Sequence, residues 1–344
     1  MKFNFSFDKR LKENYYSTNY FLKTIKIIEN KKDIVGMQFI HFSSSPIMVC
    51  GIDEVIQLLK FCLGENFKKI KVYSHLDGDI IDSNEPILVI EGEYKYFGHL
   101  ENVIDGILSS RSSIATNSYQ LKQYLNSNQS IIYMADRTNS YFNQPYDAYP
   151  AYIAGINLFV SDAQVEFFRD DKNVQVVGTM PHALIQQYRG NLSNVINDYF
   201  KIHCTKPFAL IDYHNDVIME LESIKDKLDK IIGVRIDTSK NNIDNSLLNM
   251  NKMIYGVNHE LICLVRKWLD NNGGKNIKII ISSGIGLNEI KTFHELNTPI
   301  DYYGIGSYFL TNSVHVSADL VTFNNQLESK YGRSKKSWKD LKEH

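Results

Sequence analysis

Val174-Gln175-Val176-Val177-Gly178-Thr179-Met180-Pro181-His182 joins a β-type run to a polar turn. The valines favour a pleated strand, and Gly178 and Pro181 end it. Thr179 and His182 are left at the strand's C-terminal end. Five more apolar runs share this design: residues 131–136, 208–212, 233–238, 277–283 and 301–306. Each ends in polar or glycine residues, and the runs are mostly about 20 to 45 residues apart, the scale of β–α units. Strands this apolar are expected to be buried on both faces, as in a parallel sheet or barrel. In such a barrel the strand ends converge on one rim, where active sites lie. The rim residues are Asp136 and Arg137, Thr179 and His182, Asp212, then Arg235, Asp237 and Thr238. Ser282, Ser283, Gly304, Gly306 and Ser307 complete the set. A single Asp or Ser after a strand is as readily a helix cap. Six polar ends in register are harder to explain that way.

The composition limits the chemistry. Apolar residues make up 43% of the 344 residues, enough for a large core. The net charge of -1 excludes a molecule built as a whole to bind polyanions, so no nucleic-acid partner is expected. Any phosphate must be held locally, by a few arginines and backbone N–H groups. The turns Ser282-Ser283-Gly284-Ile285-Gly286 and Gly304-Ile305-Gly306-Ser307 suit that task, though ordinary βα turns look the same. Cys50, Cys62, Cys204 and Cys263 are scattered, with no CxxC pair or Cys/His spacing for zinc. Single cysteines, no signal-like N-terminus and no membrane-length apolar run lead to the expectation of a cytoplasmic protein.

Ahead of the barrel pattern, residues 37–42 and 87–91 are β-rich, and residues 51–63 have helical apolar spacing. Turns fall at 75–79 and 83–86, and residues 97–124 read as one or two helices. From residue 317 the chain becomes charged and polar. Tyr20 and Phe21 fit the packing face of an amphipathic helix. An isolated His182 would ordinarily be a packed or surface residue; its place among the strand ends favours chemistry. His203, His214 and His259 read as surface or loop residues.

These residues resemble a known family. Gly178-Thr179-Met180-Pro181-His182-Ala183-Leu184 looks like the GTMPHAL segment of nicotinate phosphoribosyltransferases, especially the shorter bacterial and archaeal type. Tyr20-Phe21-Leu22-Lys23-Thr24 is similar to their YFLRT-like segment, and Gly233-Val234-Arg235-Ile236-Asp237-Thr238 resembles GVRLDT. Pro86 to Gly92, Ser113-Ile114-Ala115-Thr116 and Ala151 to Gly155 also resemble family segments, in family order. The resemblance implies the type II phosphoribosyltransferase fold: an N-terminal α/β domain (1–115), an irregular α/β barrel (116–320), and a tail (321–344) returning to the first domain. It also implies a homodimer with shared active sites.

The implied reaction joins nicotinate to phosphoribosyl pyrophosphate, with Mg²⁺ and coupled ATP hydrolysis. By similarity, Tyr20, Thr24, Arg137 and Thr179 would hold nicotinate, with Arg137 on its carboxylate. Arg235, Asp212, Thr238, Ser283, Gly284, Gly304, Gly306 and Ser307 would hold the phosphoribosyl group. Asp237 would serve catalysis and Mg²⁺, and His182 would accept a phosphoryl group from ATP. The chain departs from the family at several places, among them the His-Pro missing after Arg137 and Gly304-Ile305-Gly306-Ser307 in place of GVGT. Thr138 follows Arg137 where a second basic residue is usual, Thr18 replaces an Asp, and Ser283 replaces a Gly. Alternative readings are quinolinate phosphoribosyltransferase, which needs more cations for a second carboxylate, and an inactive phosphoribosyl-binding protein. A barrel aldolase or isomerase would want a lysine or carboxylate base at a strand end, and no such lysine is found.

Overall fold

The computed structural model describes residues 3–344. The chain forms two compact units. The first combines residues up to Tyr119 with Pro145–Gly155 and Leu310–His344; the second combines Gln120–Gln144 with Ile156–Phe309. The division by sequence therefore differs in detail. The helix Gln144–Ile153 falls mainly, and the strand Val316–Phe323 wholly, in the first unit, although the helix and residues 316–320 of the strand lie between 116 and 320.

The first unit holds an antiparallel sheet of six strands. Their spatial order is Gln326–Leu327, Val316–Phe323, Ile34–His41, Pro86–Glu93, Ile70–Ser74 and Lys342–Glu343. The helix Ile52–Leu63 buries Ile52, Val55, Ile56, Leu58, Leu59 and Leu63, the helical spacing seen in the sequence. These join Phe39, Val72, Leu88 and Ile90 of the sheet and Leu100, Ile104 and Leu108 in one apolar core. The strand Val316–Phe323 covers the start of the stretch that becomes charged and polar from residue 317. It pairs with Ile34–His41 over most of its length. Its Asp319 is buried but neutralised by Arg333 at 2.5 Å and Lys330 at 3.1 Å.

The second unit holds seven parallel strands curled as a half-barrel. Their order is Gln175–Val176, Leu158–Phe159, Ser130–Tyr133, Tyr302–Ile305, Lys278–Ile281, Gly233–Ile236 and Phe208–Leu210. Every pairing is parallel, and Arg235 lies in register with both Leu210 and Ile280. The central strands are apolar and buried, as expected for a doubly covered sheet. The 174–179 run departs from that expectation. Only Gln175 and Val176 are extended, and both are exposed, because this strand lies at the sheet edge with one neighbour. Parallel pairing puts every strand's C-terminal end on the same rim, which positions the site. Among the described residues, no helix is long and apolar enough to cross a membrane.

Candidate active site

Two cavities lie at this rim, both lined only by residues of the second unit. One, of 360 Å³, has apolar walls from Ile132, Met134, Val160, Val177, Met180, Phe208 and Ile280. Its polar wall is Asp136, Arg137, Gly178, Thr179, His182, Arg235 and Asp237. The other, of 520 Å³, is lined by Thr138, Ser282, Ser283, Gly284, Ile285, Gly304, Gly306 and Ser307. Met134, Arg137, Arg235 and Asp237 belong to both walls, so the cavities adjoin.

Arg235 forms this boundary because its strand alternates. Val234 and Ile236 are fully buried on one face, and Arg235 projects from the other with Ile280. One guanidinium nitrogen donates to the Thr179 hydroxyl, and another reaches an Asp237 carboxylate oxygen at 3.3 Å. The other Asp237 oxygen accepts from Ser282 Oγ at 2.6 Å. Arg235 Nε is buried with no partner. Burial pulls this guanidinium below its ordinary value, with Asp237 and Asp212 opposing. A buried donor without an acceptor, at a cavity wall, is a group held for something else to bind.

His182 opens the short helix His182–Gln187, with Pro181 in the extended conformation at the cap. Its Nε2 lies 3.2 Å from both oxygens of Asp212. The imidazole is 44% exposed and the Asp212 side chain 7%, so a hidden carboxylate orients an accessible ring. Burial raises the Asp212 pKa, and His182 opposes the shift. With Nε2–H donated to Asp212, the other ring nitrogen carries a lone pair, the arrangement of an oriented nucleophile or base.

The second cavity is built from close-packed turns. A Cβ on Gly306 would come 2.8 Å from the Met134 carbonyl oxygen, so only glycine fits there. Gly284 has φ +71° and Ser283 φ +78°, so a serine occupies a left-handed position that favours glycine. The Thr138 hydroxyl is buried with no partner, and Thr138 lines this cavity.

The structure brings most of the sequence-selected residues together. Arg137, Thr179, His182, Arg235, Asp237, Ser283, Gly284, Gly304, Gly306 and Ser307 all line one or both cavities. Asp212 joins them through His182. Thr238 is buried, its hydroxyl unpartnered, and does not line either cavity. Tyr20 and Thr24 lie in the first unit, on the helix Asn19–Ile27. Phe21 is the packing residue there, while Tyr20 is 61% exposed. Thr24 Oγ1 donates to the Tyr20 carbonyl at 2.8 Å. Sequence reasoning missed one pairing, His214 Nδ1 at 2.7 Å from the buried Glu220. A carboxylate six residues from a histidine gives no sequence signal. Among the described residues, no cluster of three or more His, Cys, Asp or Glu side chains is arranged for a metal ion.

Comparison with known proteins agrees with this geometry. Residues 20–112 match the family described as quinolinate phosphoribosyl transferase, N-terminal domain. The chain is 23% identical over 245 residues to the nicotinate phosphoribosyltransferase of Bacillus subtilis (strain 168). That match covers 70% of the chain and 45% of the relative, so the chain spans under half the length of that relative. Among solved structures, the nicotinate-nucleotide pyrophosphorylase from Pyrococcus furiosus superposes with TM-score 0.80 and 24% identity. It covers 97% of this chain and 82% of its own. Human nicotinic acid phosphoribosyltransferase superposes with TM-score 0.68 and 13% identity, covering 92% of this chain and 77% of its own. The two sheets are thus those of the type II phosphoribosyltransferase fold.

Proposed function

We propose that this chain, built on the type II phosphoribosyltransferase fold, transfers phosphoribosyl from phosphoribosyl pyrophosphate to nicotinate. The observation that carries this reading is the pair of adjoining cavities with Arg235 and Asp237 between them. One cavity has the apolar walls an aromatic base needs, and the other has the hydroxyls and glycine turns a phosphate needs. The reacting sugar carbon would lie at their boundary. There Asp237 would stabilise the cationic sugar while Arg137 and Arg235 meet anionic groups.

The pyridine nitrogen already carries a lone pair, so the site's task is alignment and charge stabilisation. Nicotinate has one carboxylate, and Arg137, an exposed cation on the shared wall, suits it. Arg235, the other arginine of that wall, is tied to Thr179 and Asp237 and has only Nε left to donate. Quinolinate carries a second carboxylate and would meet Asp136 and Asp237 on the same wall. That charge balance favours nicotinate. The match of residues 20–112 to a quinolinate phosphoribosyl transferase domain favours the second reading, quinolinate.

Mg²⁺ would arrive with the pyrophosphate and neutralise its charge, keeping waters and few protein ligands. Asp237 and Asp136 are the carboxylates of the cavity walls that fit it. In the same reading His182 takes the γ-phosphoryl group of ATP on the nitrogen turned away from Asp212. A homodimer would let Tyr20 of a second copy close the base site.

The test is product formation from phosphoribosyl pyrophosphate and Mg²⁺ with nicotinate, nicotinamide or quinolinate, each with and without ATP. Nicotinate mononucleotide from nicotinate, stimulated by ATP in the wild type but not in His182→Ala, is the expected result. Product from quinolinate alone, with release of carbon dioxide, would replace the nicotinate reading.

A further inference from the structure

Lys240 lies on the loop after the strand Gly233–Ile236, yet its side chain reaches the Gly284 turn after the next strand of the sheet. A Cβ on Gly284 would come 2.5 Å from Lys240 Cε and 3.3 Å from Nζ. The lysine stem therefore crosses directly over a residue that lines the polar cavity. Nζ ends on Glu289 Oε1 at 3.0 Å. The second Glu289 oxygen accepts the Gly286 N–H at 2.9 Å, capping the helix Leu287–Glu295.

The backbone that carries Lys240 is braced. Asn242 N–H donates to the Ser239 carbonyl, and Gly256 N–H donates to the Asn242 carbonyl at 2.8 Å. The side chain is the movable part, with 57% of it exposed and 35% of Glu289. An exposed ion pair of this kind is weakly held.

The polar cavity also lacks a cation where it needs one. Both of its arginines, Arg137 and Arg235, belong to the wall shared with the apolar cavity. The far end, at Ser283, Gly284, Gly306 and Ser307, offers hydroxyls and N–H groups only. A phosphate monoester there would carry close to two negative charges. Lys240, outside the cavity wall, is the lysine packed against the Gly284 turn, and a phosphate is a stronger acceptor for it than an exposed carboxylate.

We propose that Lys240 is a phosphate-binding residue held in reserve by Glu289. On arrival of the sugar phosphate, Nζ leaves the Glu289 oxygen and pairs with the phosphate over the Gly284 turn. Glu289 keeps its bond to the Gly286 N–H, so the turn stays in place. The inference rests on the polar cavity being the sugar-phosphate site, as in the function proposed above, and is independent of which base reacts.

Ribose 5-phosphate binding to the full chain, measured by calorimetry, tests it without any base present. Lys240→Met should weaken binding about tenfold or more, the size of one charge-assisted bond to phosphate. Lys240→Arg should restore much of it. Glu289→Gln keeps an acceptor for the Gly286 N–H and should tighten binding. Lys252→Met, which removes an unrelated ion pair to Glu260, should leave it unchanged. In turnover assays Lys240→Met should raise the KM for phosphoribosyl pyrophosphate and leave that for the base unaltered. Equal binding by the wild type and Lys240→Met would overturn the role of Lys240 while leaving the cavity assignment standing. No binding by the wild type would overturn both.

Discussion

Arg111 in the first unit and Arg235 in the second are equally hidden, with side chains 12% and 13% exposed, but they are partnered in opposite ways. Arg111 grips Glu54 through two bonds, Nε to Oε2 at 2.7 Å and Nη2 to Oε1 at 3.0 Å. It also donates to Ser110 Oγ at 3.2 Å, and Asp147 stands 4.0 Å away. Burial alone would lower this guanidinium, but Glu54 outweighs it and holds the group above its ordinary value. Arg235 has Thr179 and one longer contact to Asp237, an unpartnered Nε, and a value pulled down by burial. A buried charge with its bonds completed belongs to the architecture. One with bonds left over, facing a cavity, belongs to a binding site.

The largest expected effect breaks the first half of that contrast. Arg111→Met leaves Glu54, whose side chain is 4% exposed, without its cation. Removing one partner of a buried pair costs about 3–5 kcal/mol. Urea unfolding should show that loss, and an unchanged midpoint would mean that Arg111 is not structural.

Arg235→Met should act in the opposite sense. Asp237 keeps its bond from Ser282 and is 24% exposed, so stability should change by under about 1 kcal/mol. Transfer activity should fall about 100-fold in kcat/KM, the usual cost of removing one preorganised donor to developing charge. A variant that unfolds but retains per-molecule activity would reverse the roles of the two arginines.

The contrast between the two arginines could not be seen in the sequence, because Ser-Arg-Ser and Val-Arg-Ile say nothing about distant partners. Other parts were legible for physical reasons. Apolar runs ending in polar residues marked the parallel strands, since burial on both faces demands continuous apolarity. The common direction of those strands then carried Thr179, Asp237 and Ser283 to one rim. The strand Val316–Phe323 was hidden because its buried Asp319 looks like surface until Arg333 and Lys330 are placed beside it. Tyr20 and Phe21 were equivalent as a pattern; the structure buries only Phe21. Lys240 was illegible because its significance depends on Gly284, which lies far along the chain and on a different strand end.

A smaller effect sharpens the comparison within the first unit, where not every half-buried charge is paired as Arg111 is. Glu101 and Asp105 lie one turn apart on the helix Glu101–Lys122. Burial pushes Glu101 up to about 7, opposed by the Tyr94 hydroxyl, which donates to it at 3.1 Å. Burial also pushes Asp105 up to about 7, reinforced by the charges of Glu101 and Asp319, and Asp105 Oδ1 has no hydrogen-bond partner. Both folded values lie above the ordinary carboxylate value of about 4. The pair's contribution to stability is therefore fully present below about pH 4 and lost as pH rises to about 7. Allowing for solvent screening of groups that are only partly buried, the loss should be about 1–2 kcal/mol. Asp105→Asn removes one charge at nearly constant size. It should raise stability at pH 8 and flatten the decline between pH 5 and pH 8, read as the wild-type-minus-variant difference in urea unfolding. Parallel pH profiles for the two proteins would show that these carboxylates are solvated in the folded state, unlike Glu54 beside Arg111.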